Sequence, residues 1–202
     1  MKEHINFGER HPDYEVKVLN EREARAGAGI LFLFAMISFF NAFLSRNYVF
    51  LKVFITAFMV DFLIRIFINP KFSPVLILGR IMVKGQKPEY TGAPQKKFAW
   101  ALGLVMSVVM FLIVVVSKTT GPINFAICLI CLTLLFFETA FGTCIGCSIY
   151  NMFSKKKAKL CPGGACELRK KEKIQEISSI QVIILIAFTT AVISALYFGF
   201  LL

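Results

Sequence analysis

The chain has 202 residues, of which 57% are hydrophobic and 22 are Phe, and its mean hydropathy is +0.70. Soluble domains are usually about 45–50% apolar, so the composition excludes an ordinary soluble protein and predicts one that lies in a lipid bilayer. The net charge of +11 would suggest nucleic-acid binding in a soluble chain. Here the basic residues follow a membrane topology instead, and we expect no nucleic-acid partner.

Five apolar runs each contain the roughly 20 residues that a helix needs to cross a hydrocarbon core. They occupy residues 26–44, 49–68, 98–117, 122–143 and 180–202. The runs must be helical, because a lone strand leaves its backbone groups without partners in lipid. The sequence therefore predicts an all-α membrane protein with five transmembrane helices. The polar residues 1–25 show no secretory signal and form an N-terminal segment before a single membrane domain at 26–202.

The first helix is expected to begin before its apolar run. NERE at 20–23 is typical of a helix N-terminus, where Asn20 accepts a bond from a free backbone N–H and Glu23 bonds back. The connections 45–48 and 118–121 are short, which predicts that spans 1 and 2, and spans 3 and 4, form antiparallel hairpins.

The segment 70–97 between these hairpins has a structure of its own. Ser followed by Pro at 73–74 is a favourable helix start. The helix predicted at about 73–84 is apolar with basic residues towards its end, and it is too short to span. We therefore expect an interfacial or re-entrant helix on the cytoplasmic face, followed by turns in 85–94.

The basic residues define an orientation. Of 23 Lys and Arg, five lie in residues 1–25, six in 70–97 and eight in 144–179, and the C-terminus has none. Loops rich in Lys and Arg stay in the cytoplasm. The N-terminus and the loops 70–97 and 144–179 are therefore predicted to be cytoplasmic, and the C-terminus lies on the other side.

Besides Lys52 near the start of span 2, three charged residues fall within the apolar runs. Asp61 and Arg65 are four residues apart, hence on one face of span 2, and Glu138 lies in span 4 at a similar depth. Charges inside a membrane are costly, so we expect Arg65 to pair with Asp61, Glu138 or both. The group is either a structural clasp between spans 2 and 4, or a site where Glu138 or Asp61 handles a proton or cation.

Six cysteines are present, in three pairs. Cys128 and Cys131 lie within span 4, and we interpret them as small buried apolar residues. The other four are Cys144, Cys147, Cys161 and Cys166, with the pattern C-x2-C-x13-C-x4-C. The reducing cytoplasm disfavours a permanent disulfide there. Nearby lysines favour the thiolate form of these cysteines. Thiolates suit thiol exchange or sulfur transfer, neither of which needs a cofactor. They equally suit a zinc or iron site made by all four cysteines.

Small residues recur every four positions in two spans. They are Ala99, Gly103 and Ser107 in span 3, and Ala187, Ala191, Ala195 and Gly199 in span 5. Such stripes let helices approach closely in lipid. The stripe of span 5 predicts contact with a second copy of the chain or with a partner membrane protein, and a non-catalytic scaffold is a further possible function.

Four stretches together resemble a known family: NEREARAGAGI (20–30), NPKFSPVLILGRIMV (69–83), EYTGAPQKKFAWALGL (89–104) and ETAFGTCIGCSIYN (138–151). The chain resembles the uncharacterised bacterial membrane family called domain of unknown function 4395. The resemblance implies a polytopic inner-membrane protein, with a periplasmic C-terminus here, and no established reaction. Members are similar in keeping a Cys-x-x-Cys at the end of a span, which corresponds to Cys144 and Cys147.

These observations favour a cytoplasm-facing thiol site. Cys144 and Cys147 would exchange redox equivalents or sulfur with a cytosolic thiol or sulfur-carrier protein, or bind a transported species, and Glu138 would control protonation. The stretch GAPQKKFAW (92–100) would form a loop that closes over this site. The sequence contains no Ser-His-Asp set, no phosphate-binding glycine loop and no histidine within a span that could bind haem.

Overall fold

A computed structural model describes residues 7–12, 14, 16–153 and 179–201. The chain divides into two compact units, 1–167 and 168–202. The described part of the first unit holds two short strands and six helices, and the second holds one helix, which we describe by itself.

The elements follow one another in the order predicted, with additions. The strands are β1 (Val18–Asn20) and β2 (Tyr90–Gly92), and the helices are α1 (Glu21–Phe43), α2 (Val49–Leu63), α3 (Pro74–Met82), α4 (Ala93–Met110), α5 (Pro122–Phe141), α6 (Ile145–Phe153) and α7 (Ser179–Leu201). Helix α2 continues into a π-helical turn, Ile64–Ile68, and α4 into another, Phe111–Val116. A 3₁₀ turn, Pro70–Phe72, precedes α3.

The chain is mostly helical, as predicted, but the number of spans differs from the prediction. Among the described residues, Glu21–Phe43, Ala93–Val116 and Pro122–Phe141 are long and apolar enough to cross a membrane. Residues 49–68 are helical but carry three charges, those of Lys52, Asp61 and Arg65. In α7, Ser179–Ala191 counts as a shorter apolar helix. Five spans are therefore not confirmed, and three candidate spans are.

The predicted start of α1 is confirmed with one change. The Oδ1 atom of Asn20 accepts the backbone N–H of Arg22 at 3.2 Å. Glu23 bonds back, but to the side-chain amide of Asn20 at 3.0 Å and not to its backbone. This cap satisfies one of the free N–H groups at the helix N-terminus.

The short helix predicted after Ser73 is also present. The Ser73 hydroxyl accepts the N–H of Leu76 at 3.2 Å, and Pro74 occupies the first helical position, where its missing N–H costs nothing. The position of α3 at a membrane surface stays a prediction.

The helices of the first unit form a bundle with one polar end. Helix α1 packs against α2, α3 and α5, and α4 packs against α2 and α6. Short turns join α1 to α2 and α4 to α5, so each pair is antiparallel, as predicted. The start of α1, the end of α2, the start of α4, the end of α5 and α6 therefore meet at one end, which we call the polar end.

The two strands join the starts of α1 and α4. β1 and β2 pair antiparallel, with Asn20 opposite Tyr90. The pairing continues into both helices, because the N–H of Glu21 bonds to Glu89 O at 2.7 Å and the N–H of Ala93 bonds to Lys17 O at 2.9 Å. Turns and irregular chain were expected in both segments, and this long-range pairing is an additional feature of the fold.

Helices α1 and α3 cross very closely at Gly79. A Cβ atom at Gly79 would lie 2.7 Å from the backbone oxygen of Glu23 and 3.0 Å from the nitrogen of Gly27. Both are backbone atoms of α1, so they cannot rotate away. The closeness of α3 to α1 therefore requires glycine at this position.

We expect Gly79→Ala to lower the free energy of unfolding by about 1–3 kcal/mol, the usual cost of overpacking. The neighbouring change Leu78→Ala, at a side chain that is 50% exposed, should shift it by no more than about 0.5 kcal/mol. Fluorescence of the single tryptophan during unfolding in detergent measures both. Equal stability of the Gly79→Ala and Leu78→Ala proteins would contradict the close crossing.

Candidate functional site: a buried charge cluster beside a cysteine pair

A lysine ammonium group is enclosed at the polar end. The side chain of Lys96 is fully buried, and its Nζ atom lies 3.0 Å from both carboxylate oxygens of Glu21 and 2.8 Å from Oε1 of Glu138. Glu21 is itself buried, whereas 15% of the Glu138 side chain is exposed. One cation therefore holds two carboxylates from two other helices.

The local structure explains why these three residues meet. Glu21 is the first residue of α1, Lys96 lies in the first turn of α4, and the β1–β2 pairing places those two helix starts side by side. Glu138 lies in the last turn of α5, which packs along α1. We call Glu21, Lys96 and Glu138 the triad. It links all three candidate spans through one ammonium group.

A second buried ion pair lies on α2. The guanidinium Nη2 of Arg65 is 2.6 Å from Oδ2 of Asp61, and both side chains are almost fully buried. The Ser73 hydroxyl donates to Asp61 Oδ1 at 2.7 Å and accepts from Arg65 Nε at 3.2 Å. The N–H of Val75 also bonds to Asp61, at 3.2 Å. This network fixes the end of α2 to the start of α3.

Arg65 also contacts two aromatic rings. Its Cζ atom lies 4.5 Å from the centre of the Phe62 ring and 5.1 Å from that of Trp100, in the range of cation–π contacts. Arg65, Trp100 and Glu138 line one cavity of about 60 Å³. Arg65 pairs with Asp61, one of the two partners expected for it, whereas the ion pair of Glu138 is with Lys96.

The cysteine pair begins α6. Gly142, with φ of 61°, ends α5 in the left-handed region that favours glycine. Cys144 directly precedes α6, and its carbonyl accepts the first helical bond, from Ser148 N–H at 3.1 Å. Its Sγ atom accepts the N–H of Cys147 at 3.3 Å. Cys144 therefore caps the N-terminus of α6 with its sulfur, and Cys147 lies one turn later.

The surroundings shift the pKa values of the two thiols in opposite directions. A hydrogen bond from the Cys147 thiol lowers the pKa of Cys144 below its ordinary value, and the Lys96 ammonium group acts in the same direction, against the effects of burial and of Glu138. The pKa of Cys147 is raised, by its bond to the Cys144 sulfur and by burial. A helix N-terminus also favours a thiolate. Of the two thiols, Cys144 is therefore the one whose deprotonation is favoured.

Helix α6 is held against α4 at very short range. A Cβ atom at Gly146 would lie 2.7 Å from Cβ of Ala99, and the rings of Phe98 and Tyr150 are 5.5 Å apart. These contacts bury Cys144 and Cys147, whose exposed fractions are 5% and 2%. The prediction that GAPQKKFAW forms a loop over the site is wrong: residues 93–100 are the first two turns of α4, because Pro94 lies where a helix tolerates proline.

Other predicted site residues are not brought together. Cys161 and Cys166 lie outside the described residues, so the four-cysteine zinc or iron site stays a prediction. Within the described ranges, no group of three or more His, Cys, Asp or Glu side chains is placed to hold a metal ion. The predicted contact stripe, Ala187, Ala191, Ala195 and Gly199, falls in α7. Its partner stays a prediction.

Glu21 and Lys96 were not predicted as site residues. Both were assigned to polar segments outside the spans. Two signals in the sequence point to them: Glu21 directly follows the Asn20 cap, and Lys96 comes four residues after Gly92, where the Gly-Ala-Pro stretch starts a helix.

We expect Lys96→Met to lower the free energy of unfolding by about 3–5 kcal/mol, because it leaves two carboxylates close together without their cation. Lys97→Met removes an exposed ammonium group from the next position, and it should cost no more than about 1 kcal/mol, the value of its exposed contact with the Phe7 ring. Adding Glu21→Gln to Lys96→Met should restore part of the loss. Additive effects of these two changes in a double-mutant cycle would contradict the triad.

Comparison with known proteins gives a family and no closer relative. No curated protein and no solved structure matches the chain. A family model described as Domain of unknown function (DUF4395) matches residues 19–155. This region contains the triad, the Asp61–Arg65 ion pair and the Cys144–Cys147 pair. The match confirms the resemblance seen in the sequence. The chain belongs to the DUF4395 family.

Proposed function

We propose that Cys144 and Cys147 form a thiol redox site at the polar end of a membrane-embedded bundle. The observation that carries the proposal is the 3.3 Å bond from the Cys147 N–H to the Cys144 sulfur at the start of α6. It gives the first cysteine of a Cys-x-x-Cys pair a stabilised thiolate, and the second a thiol one helical turn away. Such an arrangement suits a nucleophilic cysteine followed by a resolving cysteine.

The proposed reaction is thiol–disulfide exchange with a cytosolic thiol partner. The Cys144 thiolate attacks one sulfur of a partner disulfide and releases the other as a thiolate, which takes a proton from water. Cys147 then loses its proton and attacks the Cys144 sulfur of the mixed disulfide, and the second partner thiolate leaves. The chain is oxidised from dithiol to disulfide, and the partner disulfide is reduced to two thiols.

The triad of Glu21, Lys96 and Glu138 has two roles in this proposal. The Lys96 ammonium group acts on Cys144 in the direction that favours a thiolate. Glu138 binds Lys96 through Oε1 and is the partly exposed carboxylate of the triad. We assign to Glu138 the removal of the proton from Cys147 and its transfer towards solvent. Glu21, being buried, neutralises Lys96.

Access to the sulfurs requires a movement of α6. Both thiols are buried against α4, and α6 has only nine residues. A movement about Gly142 and Thr143, which precede Cys144, would have to break the close packing of Gly146 on Ala99 and of Tyr150 on Phe98. Such an opening would expose both sulfur atoms to the partner.

We expect the alkylation of Cys144 by iodoacetamide to have a pH midpoint below about 8.5, the ordinary value for a cysteine thiol. Cys147 should have a midpoint above that value, because its pKa is raised. Mass spectrometry of peptides from the full chain in detergent resolves the two sites. Because both cysteines react only when α6 opens, alkylation is slower by the same factor at every pH. The pH midpoint of each cysteine therefore does not change. A lower midpoint for Cys147 than for Cys144 would exclude the assigned roles.

For the membrane, we propose that the polar end faces the cytoplasm of a bacterial inner membrane and that the C-terminus is periplasmic. Three apolar helices support membrane insertion. Among the described residues, the polar end includes basic side chains of the segments 1–25 and 70–97, whose composition predicts a cytoplasmic location. The proposal keeps the five predicted spans, of which α2 and α7 are the two that are not among the three candidate spans.

This orientation predicts that an impermeant maleimide labels a cysteine added after Leu202 in intact cells, in a chain whose six native cysteines are replaced by serine. A cysteine placed at Arg10 should be labelled only after lysis. Labelling of the Arg10 position in intact cells would contradict the orientation.

A further inference from the structure

A small cavity inside the bundle is lined by four sulfur-containing side chains. The cavity of about 40 Å³ lies between α1, α2, α4 and α5. Its sulfur-bearing residues are Met106 and Met110 of α4 and Cys128 and Cys131 of α5. The rest of the lining is apolar apart from Ser107, and the site is separate from the Cys144–Cys147 pair.

The helix geometry aims these side chains at one space. Met106 and Met110 are four residues apart, and Cys128 and Cys131 three, so each pair lies on one face of its helix. Because α4 and α5 are antiparallel, Met110 is level with Cys128, and Met106 is level with Cys131. Contacts agree with this: Met110 and Cys128 pack in one apolar cluster, whereas Met106 and Cys131 also line the cavity that holds Glu138.

The cavity has no groups that would hold water. A buried water molecule needs about two to four polar partners. The Ser107 hydroxyl already donates to the carbonyl of Leu104 at 2.7 Å, and the remaining lining side chains are hydrocarbon, aromatic or sulfur. The space therefore offers sulfur atoms and little else to a ligand.

We propose that this cavity binds a soft monovalent metal ion, Cu(I) or its analogue Ag(I). Thiolate and thioether ligands together select such ions, whereas zinc is bound by Cys, His and carboxylates. One thiol loses its proton to solvent when the metal–sulfur bond forms, so one thiolate and one monovalent cation give a neutral site. Neutrality matters because an uncompensated charge inside the bilayer is costly.

The sulfur cavity lies next to the cavity that Arg65 and Glu138 line. The two cavities share Phe58, Gly103, Met106 and Cys131 as lining residues. The proposal does not depend on the thiol redox site.

The test is a Cu(I) titration of the full chain in detergent, with a chromogenic chelator as competitor, in a background where Cys144, Cys147, Cys161 and Cys166 are serine. We expect one Cu(I) per chain and sulfur-only scattering around copper in X-ray absorption. Cys128→Ser with Cys131→Ser should abolish binding. Met106→Leu with Met110→Leu, which keeps the packing volume, should weaken it at least tenfold. Met82→Leu, at a side chain that is 69% exposed, should leave it unchanged.

Two outcomes would overturn the proposal. One is a background chain that binds no Cu(I), or binds it equally well without Cys128 and Cys131. The other is Zn²⁺ binding of equal strength with the same dependence on the two methionines. The environment of the single, buried Trp100 reports folding. Should the serine background fail to fold, the Met106→Leu/Met110→Leu and Met82→Leu proteins are compared in the wild-type chain by the number of Cu(I) ions bound per chain at the same chelator concentration, where equal numbers would also contradict the site.

Discussion

The polar end of this protein is arranged around a buried ammonium group. Removing a lysine side chain from water costs several kcal/mol unless its charge is neutralised and its donors are bonded. Lys96 meets both conditions through Glu21 and Glu138. Because these residues lie on α1, α4 and α5, the requirement fixes how the three candidate spans meet. The start of α4 cannot leave the start of α1 without exposing a charged cluster.

The cysteine pair depends on the same arrangement. Helix α6 begins just beyond Glu138, and it packs on the turns of α4 that follow Lys96. The positive charge of Lys96 therefore acts on Cys144, and the α6 N-terminus adds a backbone donor. Asp61 and Arg65 lie apart from this pair and fix α3, so their role is structural in our account.

Local features were predicted well from the sequence, and long-range ones were not. Asn20 and Ser73 identified two helix starts, because a cap depends on residues within one turn. The Lys96 partners lie 75 and 42 residues away in the chain, and no local pattern specifies them. The GAPQKKFAW segment was misread because its proline and glycine are common in turns as well as at helix starts. Glu138 and the cysteine pair were proposed as site residues from the sequence. The partner of Glu138 was not, because Lys96 was assigned to a loop and not to the start of α4.

The central claim is that Cys144 and Cys147 interconvert between dithiol and disulfide. Equilibration of the purified chain with reduced and oxidised glutathione, followed by acid quenching, differential alkylation and peptide mass spectrometry, tests it most directly. We predict one intramolecular disulfide between these residues that forms and reverses as a two-electron couple, with Cys128 and Cys131 remaining thiols. The absence of that disulfide at every glutathione ratio would contradict the account.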